Sequence, residues 1–552
     1  MRVESSEPAT DVDVVVIGGG VNGTGVARDA ALRGLRVALF EKNDLAFGAS
    51  GNSSGMIHGG PRYLTYDPDV TYSSCLDSGH IQAIAPHLLF RVPFLMPVHA
   101  GPLAGPTLEG YDAFFTLYDR YQPLKRGKPH VRLTGTDLAR LEPGLKGDLA
   151  GGVAFDEWGI DGARLCVGNA LDAMRHGASV RIHTSVTEVL RRDDGAVRGV
   201  AYRDELTGEV GALRAKLVVN ASGAWAPITA TLGGLSPKAA RLRPGKGVHV
   251  VFDRRLTNYA LVAQAIDGRQ VFLEPWQNVS IIGTTDDDFY GDLDQVVATA
   301  DEVRYLIQAI ARVFPAIRGA RAIGTYAGVR PTLYAWGPNE DRLSREHVIV
   351  DHARDGAAGL FSMLGGKLAS YRLFAEEMTD VIARRLRCGV ACKTHTAKLP
   401  GGEEAVDPVA LARRFEVEPV TASRLVYRHG ARSVEVLERA RRAPREARVV
   451  CPCEPVTEAE IRYVVEHELA TSVDDVSRRT RLGLGACGGM RCAAPCGALV
   501  AELTGRSPEV GRGLAVGFLE RAARRRLSVL GPEQLRQEGL ALAAQRAQLG
   551  VS

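Results

Sequence analysis

Three glycines and a carboxylate near the start of the chain have the spacing of a dinucleotide-binding turn. Gly18-x-Gly20-x-x-Gly23 follows an apolar run and opens an alanine-rich segment, and Glu41 lies 18 residues beyond Gly23. Gly18 permits a tight turn, Gly20 lets the backbone approach a pyrophosphate, and Gly23 lets a helix pack closely on a strand. The N-terminus of that helix offers N–H groups to the phosphates, and Glu41 is placed to accept hydrogen bonds from ribose hydroxyls. Because an acid at this position disfavours a 2′-phosphate, the pattern predicts a dinucleotide other than NADP.

Five of the nine cysteines cluster near the C-terminal end, where their spacing is typical of metal ligands. Cys451-x-Cys453 and Cys487-x4-Cys492 form two pairs, and Cys496 follows as a spare thiol or as a substitute for Cys492. The first ten residues, MRVESSEPAT, are polar and unlike a secretory signal. We therefore expect a cytoplasmic chain with reduced thiols, in which this cluster binds metal rather than forming disulfides. Four thiolates suit a [2Fe–2S] cluster or, alternatively, a structural zinc ion.

Two later segments indicate FAD rather than NAD. LVVNASGAW (Leu217–Trp225) is a strand with a turn at Gly223 that would return beside the same cofactor. FSMLGGKLASYR (Phe361–Arg372) places Gly365 and Gly366 at a predicted helix start, where the helix end would stabilise negative charge on a reduced flavin. A flavin takes two electrons as hydride and can release them singly. Since a [2Fe–2S] cluster accepts one electron at a time and zinc accepts none, FAD favours the cluster over zinc.

Hydrophobic periodicity predicts the elements that position these residues. Asp13–Gly18 and Leu35–Glu41 have the pattern of buried parallel strands around a helix at Asn22–Arg33, which completes a βαβ unit. Strand patterns return at 180–223 and again at 247–285, so we expect two domains that each receive several chain segments. The chain then turns helical and charged beyond residue 372. The predicted units are an oxidoreductase region at 1–390, a helical region at 391–450, the cysteine module at 451–504 and a helical basic tail at 505–552.

The composition excludes several classes of partner. The formal charge of the 552-residue chain is only +4, and no basic tract is interleaved with aromatic residues, so we expect no nucleic acid partner. No run approaches the ~20 apolar residues that a membrane span needs. A weakly basic surface is compatible with peripheral association on the anionic inner face of the cell membrane.

Residues 12–372 resemble the FAD-dependent glycerol-3-phosphate dehydrogenases, a branch of the glycine oxidase-like flavoproteins. The resemblance is carried by IGGGVNGTGVARDAALRGLRVALFEKND (Ile17–Asp44), SSGMIHGGPRYL (Ser53–Leu64), IIGTTDDDFYGD (Ile281–Asp292), YAGVRP (Tyr326–Pro331) and LGGKLASYR (Leu364–Arg372). Residues 451–497 resemble the [2Fe–2S] module of the A-type chain of the anaerobic glycerol-3-phosphate dehydrogenases, which is similar to bacterioferritin-associated ferredoxin. The resemblance implies an α/β (and α+β) fold, in which a Rossmann-like FAD-binding domain is interleaved with a mixed-sheet substrate domain.

The resemblance also implies which residues face the cofactor and the substrate. Phosphate recognition falls to basic residues matching Arg62, Arg330, Arg345 and Lys367, with Tyr63 beside them, and guanidinium and ammonium groups do suit a phosphate dianion. The SSGMIHGG stretch adds Ser53 and Ser54 to the FAD contacts. One departure is Pro61, where this branch usually has leucine or alanine; a proline biases Gly60 towards an extended conformation.

Alcohol oxidation needs a group to take the hydroxyl proton while hydride leaves to the flavin. His249, in GKGVHVVF, is the first candidate and His58 the second, and Arg330 could instead stabilise a developing alkoxide. The sequence does not decide between them. Arg330 and Lys367 complete the predicted catalytic set.

Two rival functions remain open at this stage. The first keeps FAD but oxidises an amino acid or a 2-hydroxy acid, and the number of cations argues against it. The second is a non-catalytic redox-sensing scaffold, against which the intact glycine motif argues. The resemblance implies oxidation of glycerol 3-phosphate, with quinone as the final acceptor, reached directly or through partner electron-transfer subunits.

Overall fold

The computed structural model describes residues 11–65, 67–337, 343 and 346–551, and for Arg62 it describes the backbone alone. The strands, in chain order, are β1 Val12–Ile17, β2 Val37–Phe40, β3 Leu89–His99, β4 Val131–Thr134, β5 Leu149–Ile160, β6 Ser179–Arg181, β7 Thr184–Arg191, β8 Val197–Asp204, β9 Val210–Asn220, β10 Leu242–Phe252, β11 Ala260–Gln264, β12 Gln270–Trp276, β13 Val279–Gly283, β14 Asp287–Asp288, β15 Ala322–Leu333, β16 His347–Asp351, β17 Leu360–Gly365, β18 Val449–Cys451 and β19 Val456–Thr457.

The helices complete the element list. They are α1 Val21–Leu32, α2 Pro68–Ile84, α3 Ala104–Tyr118, α4 Gly135–Leu141, α5 Gly162–Arg175, α6 Ala226–Thr231, α7 Ala300–Ile310, α8 Tyr371–Leu386, α9 Pro408–Phe415, α10 Pro419–His429, α11 Ser433–Arg442, α12 Glu458–His467, α13 Val473–Thr480, α14 Ala493–Leu503, α15 Pro508–Arg524 and α16 Pro532–Leu549. In the described part of the chain, no helix combines the length and the apolar character needed to cross a membrane.

The first sheet has the strand order β16-β17-β9-β1-β2-β6. Strands β17, β9, β1, β2 and β6 run parallel, and their near-continuous Val, Leu and Ala runs are buried on both faces, as parallel strands require. Helices α1, α5 and α8 pack together on one face of this sheet. This is the predicted Rossmann-like unit, assembled from segments that are distant in sequence.

The second sheet is mixed and has the order β14-β10-β13-β12-β11-β3-β5-β4, with β15 paired along β10. Most of its pairs are antiparallel, whereas β11 runs parallel to β3. Its segments alternate along the chain with those of the first sheet. The predicted fold class, two interleaved α/β and mixed-sheet domains followed by helices, is confirmed.

The C-terminal helices form a separate apolar core around Val464, Val476, Leu499 and Phe518. This region docks on the first sheet through buried charges. Asp44 receives a bidentate contact from Arg479, with Nη1 at 2.7 Å and Nη2 at 2.8 Å. Both side chains are almost completely buried, so the C-terminal region rests directly on the loop that follows β2.

Candidate functional site

The glycine motif forms a turn that admits no side chain. Gly18 follows β1 with φ of +114°, and an added Cβ would lie 2.7 Å from the carbonyl oxygen of Ala221. An added Cβ on Gly23 would lie 2.0 Å from the carbonyl oxygen of Gly18. Gly20 precedes α1, whose first N–H, that of Val21, donates to Ser50 Oγ at 3.0 Å. The turn and the helix N-terminus therefore have the shape that a pyrophosphate needs.

Glu41 directly follows β2 and is fixed by the backbone. Its Oε2 accepts from the N–H of Gly19 at 2.7 Å and its Oε1 from the N–H of Asn43 at 2.8 Å. Burial raises the pKa of this carboxyl, and the two N–H donors oppose that effect. The carboxylate faces the same cavity as Gly18, where a ribose is expected.

The two later glycine turns meet the first one at one edge of the sheet. Gly223 follows β9, and Gly365 and Gly366 close β17, each with positive φ. Because β1, β9 and β17 are parallel, their carboxyl ends share an edge, where α/β folds bind ligands. The helix starts later than the sequence predicts: a 3₁₀ turn at Leu368–Ser370 precedes α8, so Lys367 lies in extended backbone.

A cavity of about 980 Å³ opens at this edge and passes between the two sheets. It is lined by most of the predicted site residues, namely Gly18, Gly20, Glu41, Ser53, Ser54, His58, Tyr63, Gly223, His249, Arg330, Gly365, Gly366 and Lys367. Gly23 is behind the wall and shapes the turn. The side chain of Arg62 and the whole of Arg345, predicted phosphate ligands, lie outside the described residues.

His249 lies on β10 where the substrate-domain sheet faces the cavity. Its Nε2 is 3.0 Å from Ser54 Oγ, and its ring stacks on Tyr326 with 4.6 Å between centroids. Its Nδ1 has no hydrogen-bond partner among the residues that the structure describes. Burial, and then the charge of Arg330, lowers the pKa of His249 to about 3. The imidazole is therefore neutral at physiological pH and able to accept a hydrogen bond.

Arg330, on β15, is held by neighbours from the loop after β13. Its guanidinium contacts Asp286 Oδ1 at 2.8 Å, Thr284 Oγ1 at 3.0 Å and the carbonyl oxygen of Thr285 at 3.2 Å. Gly247 makes room for it, since a Cβ there would lie 2.6 Å from Arg330 Nη2. Sequence reasoning missed Asp286, although the acidic run after Ile281 was a visible signal.

Lys367 and Tyr63 meet from opposite ends of the chain. Lys367 Nζ lies 4.4 Å from the centroid of the Tyr63 ring, which is consistent with a cation–π contact. Tyr63 is buried against Gly60, whose φ is +72° and whose added Cβ would lie 2.2 Å from the ring. The loop after Gly59 therefore closes over the cavity with Pro61 in place.

A buried acid also borders this cavity, and sequence reasoning missed it. Glu157, on β5, accepts from Tyr118 Oη at 2.6 Å and pairs with Lys125 Nζ at 2.5 Å. The three residues come from separate segments with no common motif. Only the packing of α3 and the following 3₁₀ turn on β5 brings them together, so no local signal could have found them.

The cysteines of the C-terminal module come together as two pairs of thiols. Cys453 Sγ and Cys487 Sγ are 4.0 Å apart at the surface, while Cys451 and Cys492 are buried and hydrogen bonded to each other. That bond from Cys492, with backbone N–H donors, lowers the pKa of Cys451 to about 6. Within the described ranges, no group of three or more His, Cys, Asp and Glu side chains has metal-binding geometry. The donor set, four cysteines with N–H groups aimed at a sulfur, nevertheless fits a [2Fe–2S] cluster.

One element of the module differs from its prediction. Thr457 caps α12 by accepting from the N–H of Glu460 at 3.2 Å, as the T-x-x-E pattern indicates. The reciprocal half of the capping box is replaced, because the Glu460 carboxylate pairs with Arg428 and His429. Cys496 is buried on α14, one turn beyond Cys492.

Comparison with known proteins assigns the chain to a family. The model of the FAD dependent oxidoreductase family matches residues 13–372, and the model described as the C-terminal domain of alpha-glycerophosphate oxidase matches residues 392–510. The A chain of anaerobic glycerol-3-phosphate dehydrogenase from Escherichia coli K12 is 34% identical over 491 residues, covering 88% of each chain. The chain belongs to the FAD-dependent glycerol-3-phosphate dehydrogenases. Glycerol-3-phosphate dehydrogenase of Mycobacterium leprae is similar at 35% identity, covering 90% of this chain and 86% of its own length.

The fold of this dehydrogenase family is also that of a solved structure. Glycerol-3-phosphate dehydrogenase from Bacillus halodurans, complexed with FAD, matches with a TM-score of 0.75 and 24% identity, covering 94% of this chain and 96% of that one. The likeness spans both interleaved domains and the helices that follow them. FAD, the cofactor of the family, thus agrees with the three glycine turns that line the cavity.

Proposed function

We propose that this chain oxidises sn-glycerol 3-phosphate to dihydroxyacetone phosphate and passes the electrons through a [2Fe–2S] cluster towards quinone. The observation that carries the first half is the meeting of Arg330, Lys367, Tyr63 and His249 in the cavity that the glycine turns line. Cations and an alcohol-facing imidazole at the end of a flavin site suit a phosphorylated alcohol.

Phosphate recognition is assigned to Arg330 and Lys367. A guanidinium held in plane by Asp286 and Thr284 presents its remaining donors in a fixed direction, which favours bidentate contact with phosphate oxygens. Asp286 limits the excess positive charge before substrate arrives. Arg62 and Arg345 complete the proposed set from the sequence alone.

The reaction removes two electrons and two protons from the substrate. The C2–H bond breaks with transfer of hydride, the O–H bond breaks with loss of a proton, and a C2 carbonyl forms. Bound FAD would supply the hydride acceptor and the capacity to release electrons singly. His249, with Arg330 as the alternative, holds the hydroxyl: the neutral imidazole accepts its hydrogen bond, and Ser54 orients the ring through Nε2.

The low pKa of His249 does not argue against this role. Burial is its main cause and the charge of Arg330 adds to it. A phosphate dianion bound at Arg330 offsets that second contribution and raises the basicity of the ring. His249 then takes up the proton more readily when substrate is present than when it is absent.

The cysteine module is proposed to hold the cluster through Cys451, Cys453, Cys487 and Cys492. Cys453 and Cys487 are at the surface, on the side where electrons can leave for an acceptor. The Escherichia coli relative is named as one chain of an anaerobic dehydrogenase, which supports a chain that works with further subunits, peripheral to the inner face of the membrane. The unit limits predicted from the sequence, 1–390, 391–450, 451–504 and 505–552, belong to this proposal.

Anaerobic purification, visible and EPR spectroscopy and titration with glycerol 3-phosphate test both halves. The expected result is bleaching of the flavin bands, followed by a reduced-cluster EPR signal, with one FAD and two irons per chain. Bleaching by glycine, sarcosine or 2-hydroxyglutarate instead would favour the amino acid or 2-hydroxy acid alternative. Zinc in place of iron after anaerobic reconstitution would overturn the electron route while leaving the dehydrogenase intact.

A further inference from the structure

A continuous line of contacts leads from the wall of the cavity towards the cysteine module. Gly55 lines the cavity, and a Cβ placed on it would lie 3.7 Å from Nε1 of Trp276, the last residue of β12. The Trp276 ring also meets Phe90 edge to face, with 6.0 Å between centroids, so its position is fixed by the substrate-domain sheet. Trp276 is thus the outer neighbour of the cavity wall on this side.

The next contact crosses into the C-terminal module. The guanidinium carbon of Arg481, which ends α13, lies 4.1 Å from the centroid of the Trp276 ring. Arg481 is buried and pairs with the buried carboxylate of Glu454 through Nε at 3.2 Å and Nη2 at 3.3 Å. The charge of Arg481 also acts on the phenol of Tyr326, which stacks on His249.

The last contact reaches a proposed ligand of the cluster. Glu454 directly follows Cys453, and its backbone N–H donates to the sulfur of Cys451. The same residue therefore touches a cluster ligand with its main chain and Arg481 with its side chain. Charges and hydrogen bonds at this distance from a cysteine-bound cluster set its reduction potential.

We propose that Trp276, Arg481 and Glu454 are positioning residues that connect the flavin cavity to the cysteine cluster and balance the charge beside it. The inference rests on the proposed function, because it presupposes a cluster on the four cysteines. In each transfer one electron leaves the reduced flavin and one enters the cluster, and the external acceptor is a quinone, which becomes quinol on taking two electrons and two protons.

The ion pair gives the proposal a signature in the sign of an effect. Replacing Arg481 with Gln leaves the Glu454 carboxylate uncompensated, which disfavours adding an electron and makes the cluster potential more negative. Replacing Glu454 with Gln leaves the guanidinium uncompensated, which makes the potential more positive. A residue with only a structural role would not shift the potential in opposite directions in these two variants.

The experiment is an EPR-monitored redox titration of the full-length, FAD-loaded and iron-loaded protein as wild type, R481Q, E454Q, R481Q/E454Q and W276L. We expect opposite shifts in the two single variants, return towards the wild-type potential in the double variant, and no shift in W276L. Stopped-flow mixing of W276L with glycerol 3-phosphate should show flavin reduction at the wild-type rate and slower cluster reduction. R491Q is the matched control: it removes one positive charge beside Cys492 at an exposed position, where solvent screens it.

The outcomes separate this inference from the function on which it rests. A wild type that binds no iron, or whose flavin glycerol 3-phosphate does not reduce, overturns the proposed function. A wild type that transfers electrons, with R481Q and E454Q shifted in one direction or by no more than R491Q, overturns the positioning role. If R481Q loses iron, R481K, which keeps the charge, and the near-isosteric E454Q take over the test of sign.

Discussion

Arg330 already has partners before any substrate arrives. Its contacts with Asp286, Thr284 and the carbonyl of Thr285 fix the plane of the guanidinium. Removing the guanidinium would take charged hydrogen bonds from the phosphate and leave the Asp286 carboxylate to repel it. One cation therefore serves both the fold of the loop and the proposed substrate.

We expect R330Q to raise KM for glycerol 3-phosphate about 10- to 100-fold, since hydrogen bonds to charged groups contribute about 1.5–3 kcal/mol. Steady-state kinetics with an artificial acceptor, alongside FAD content, measure this. R243Q is the control, because Arg243 pairs with Asp288 on the same sheet but does not line the cavity. An unchanged kcat/KM in R330Q would remove Arg330 from the substrate site.

Gly23 offers a second prediction at the scale of the residue. G23A places a Cβ 2.0 Å from the carbonyl oxygen of Gly18, so the first turn of α1 must move away from β1. We expect loss of bound FAD, read from the absorbance of the purified protein. The same substitution at Gly513, in α15 with open space around it, should keep FAD and stabilise the fold by about 0.5–1 kcal/mol. Full FAD content in G23A would contradict the proposed pyrophosphate turn.

At the scale of the element, β12 carries a buried acid whose charge the fold resists. Glu274 is 2% exposed, and its Oε1 has no hydrogen-bond partner in the described part of the chain. Burial raises the pKa of Glu274 to about 8. The folded chain keeps this proton between pH 4.5 and 8 whereas the unfolded chain loses it, so the stability that this group contributes is full below pH 4.5 and falls as pH rises to 8.

E274Q should therefore be stabilised relative to the wild type as pH rises. We expect the difference in free energy of unfolding between them to grow from pH 5 to pH 8 by about 1.4 kcal/mol per pKa unit crossed. Thermal unfolding at both pH values measures it. E188Q, an exposed glutamate on β7, is the control and should show no such trend. A pH-independent difference for E274Q would mean that Glu274 is not protonated in the fold.

The elements also mark the limit of prediction from sequence. The β1–α1–β2 unit was predicted to within two residues at each end, because its periodicity and glycines are local. The placement of β17 beside β9 and the contact of Trp276 with Arg481 were not predicted, since each joins residues more than 130 positions apart. The pairing of Arg330 with Asp286 escaped for a related reason: it depends on the neighbouring strands β10 and β15 rather than on any motif.

At the scale of the whole molecule, the C-terminal region is locked to the FAD domain by the Asp44–Arg479 pair. Asp44 lies three residues after Glu41, so the nucleotide end of the cavity and the cysteine module share one loop. D44N leaves the buried Arg479 guanidinium without its charge partner, which typically costs about 3–5 kcal/mol. We expect a lower Tm, weaker FAD retention and faster proteolysis near residue 400.

The control for D44N is R304Q, which breaks the exposed Arg304–Asp301 pair, for which little effect is expected. A D44N protein with the Tm of the wild type would show that the module is held by its apolar contacts alone. A drop in Tm with unchanged FAD retention would separate docking of the module from binding of the nucleotide.

The strand order of the first sheet carries a consequence for how the chain is made. β9 and β17 are neighbours, yet β17 ends at residue 365, so the edge of β9 has no partner until two thirds of the polypeptide has left the ribosome. At ~5–20 residues per second, that wait is roughly 20–70 s. Throughout it the nascent chain carries an open sheet edge that can recruit other strands, and FAD cannot be enclosed before the edge is closed. Cells that make this protein quickly should therefore depend on chaperones that shield half-built parallel sheets.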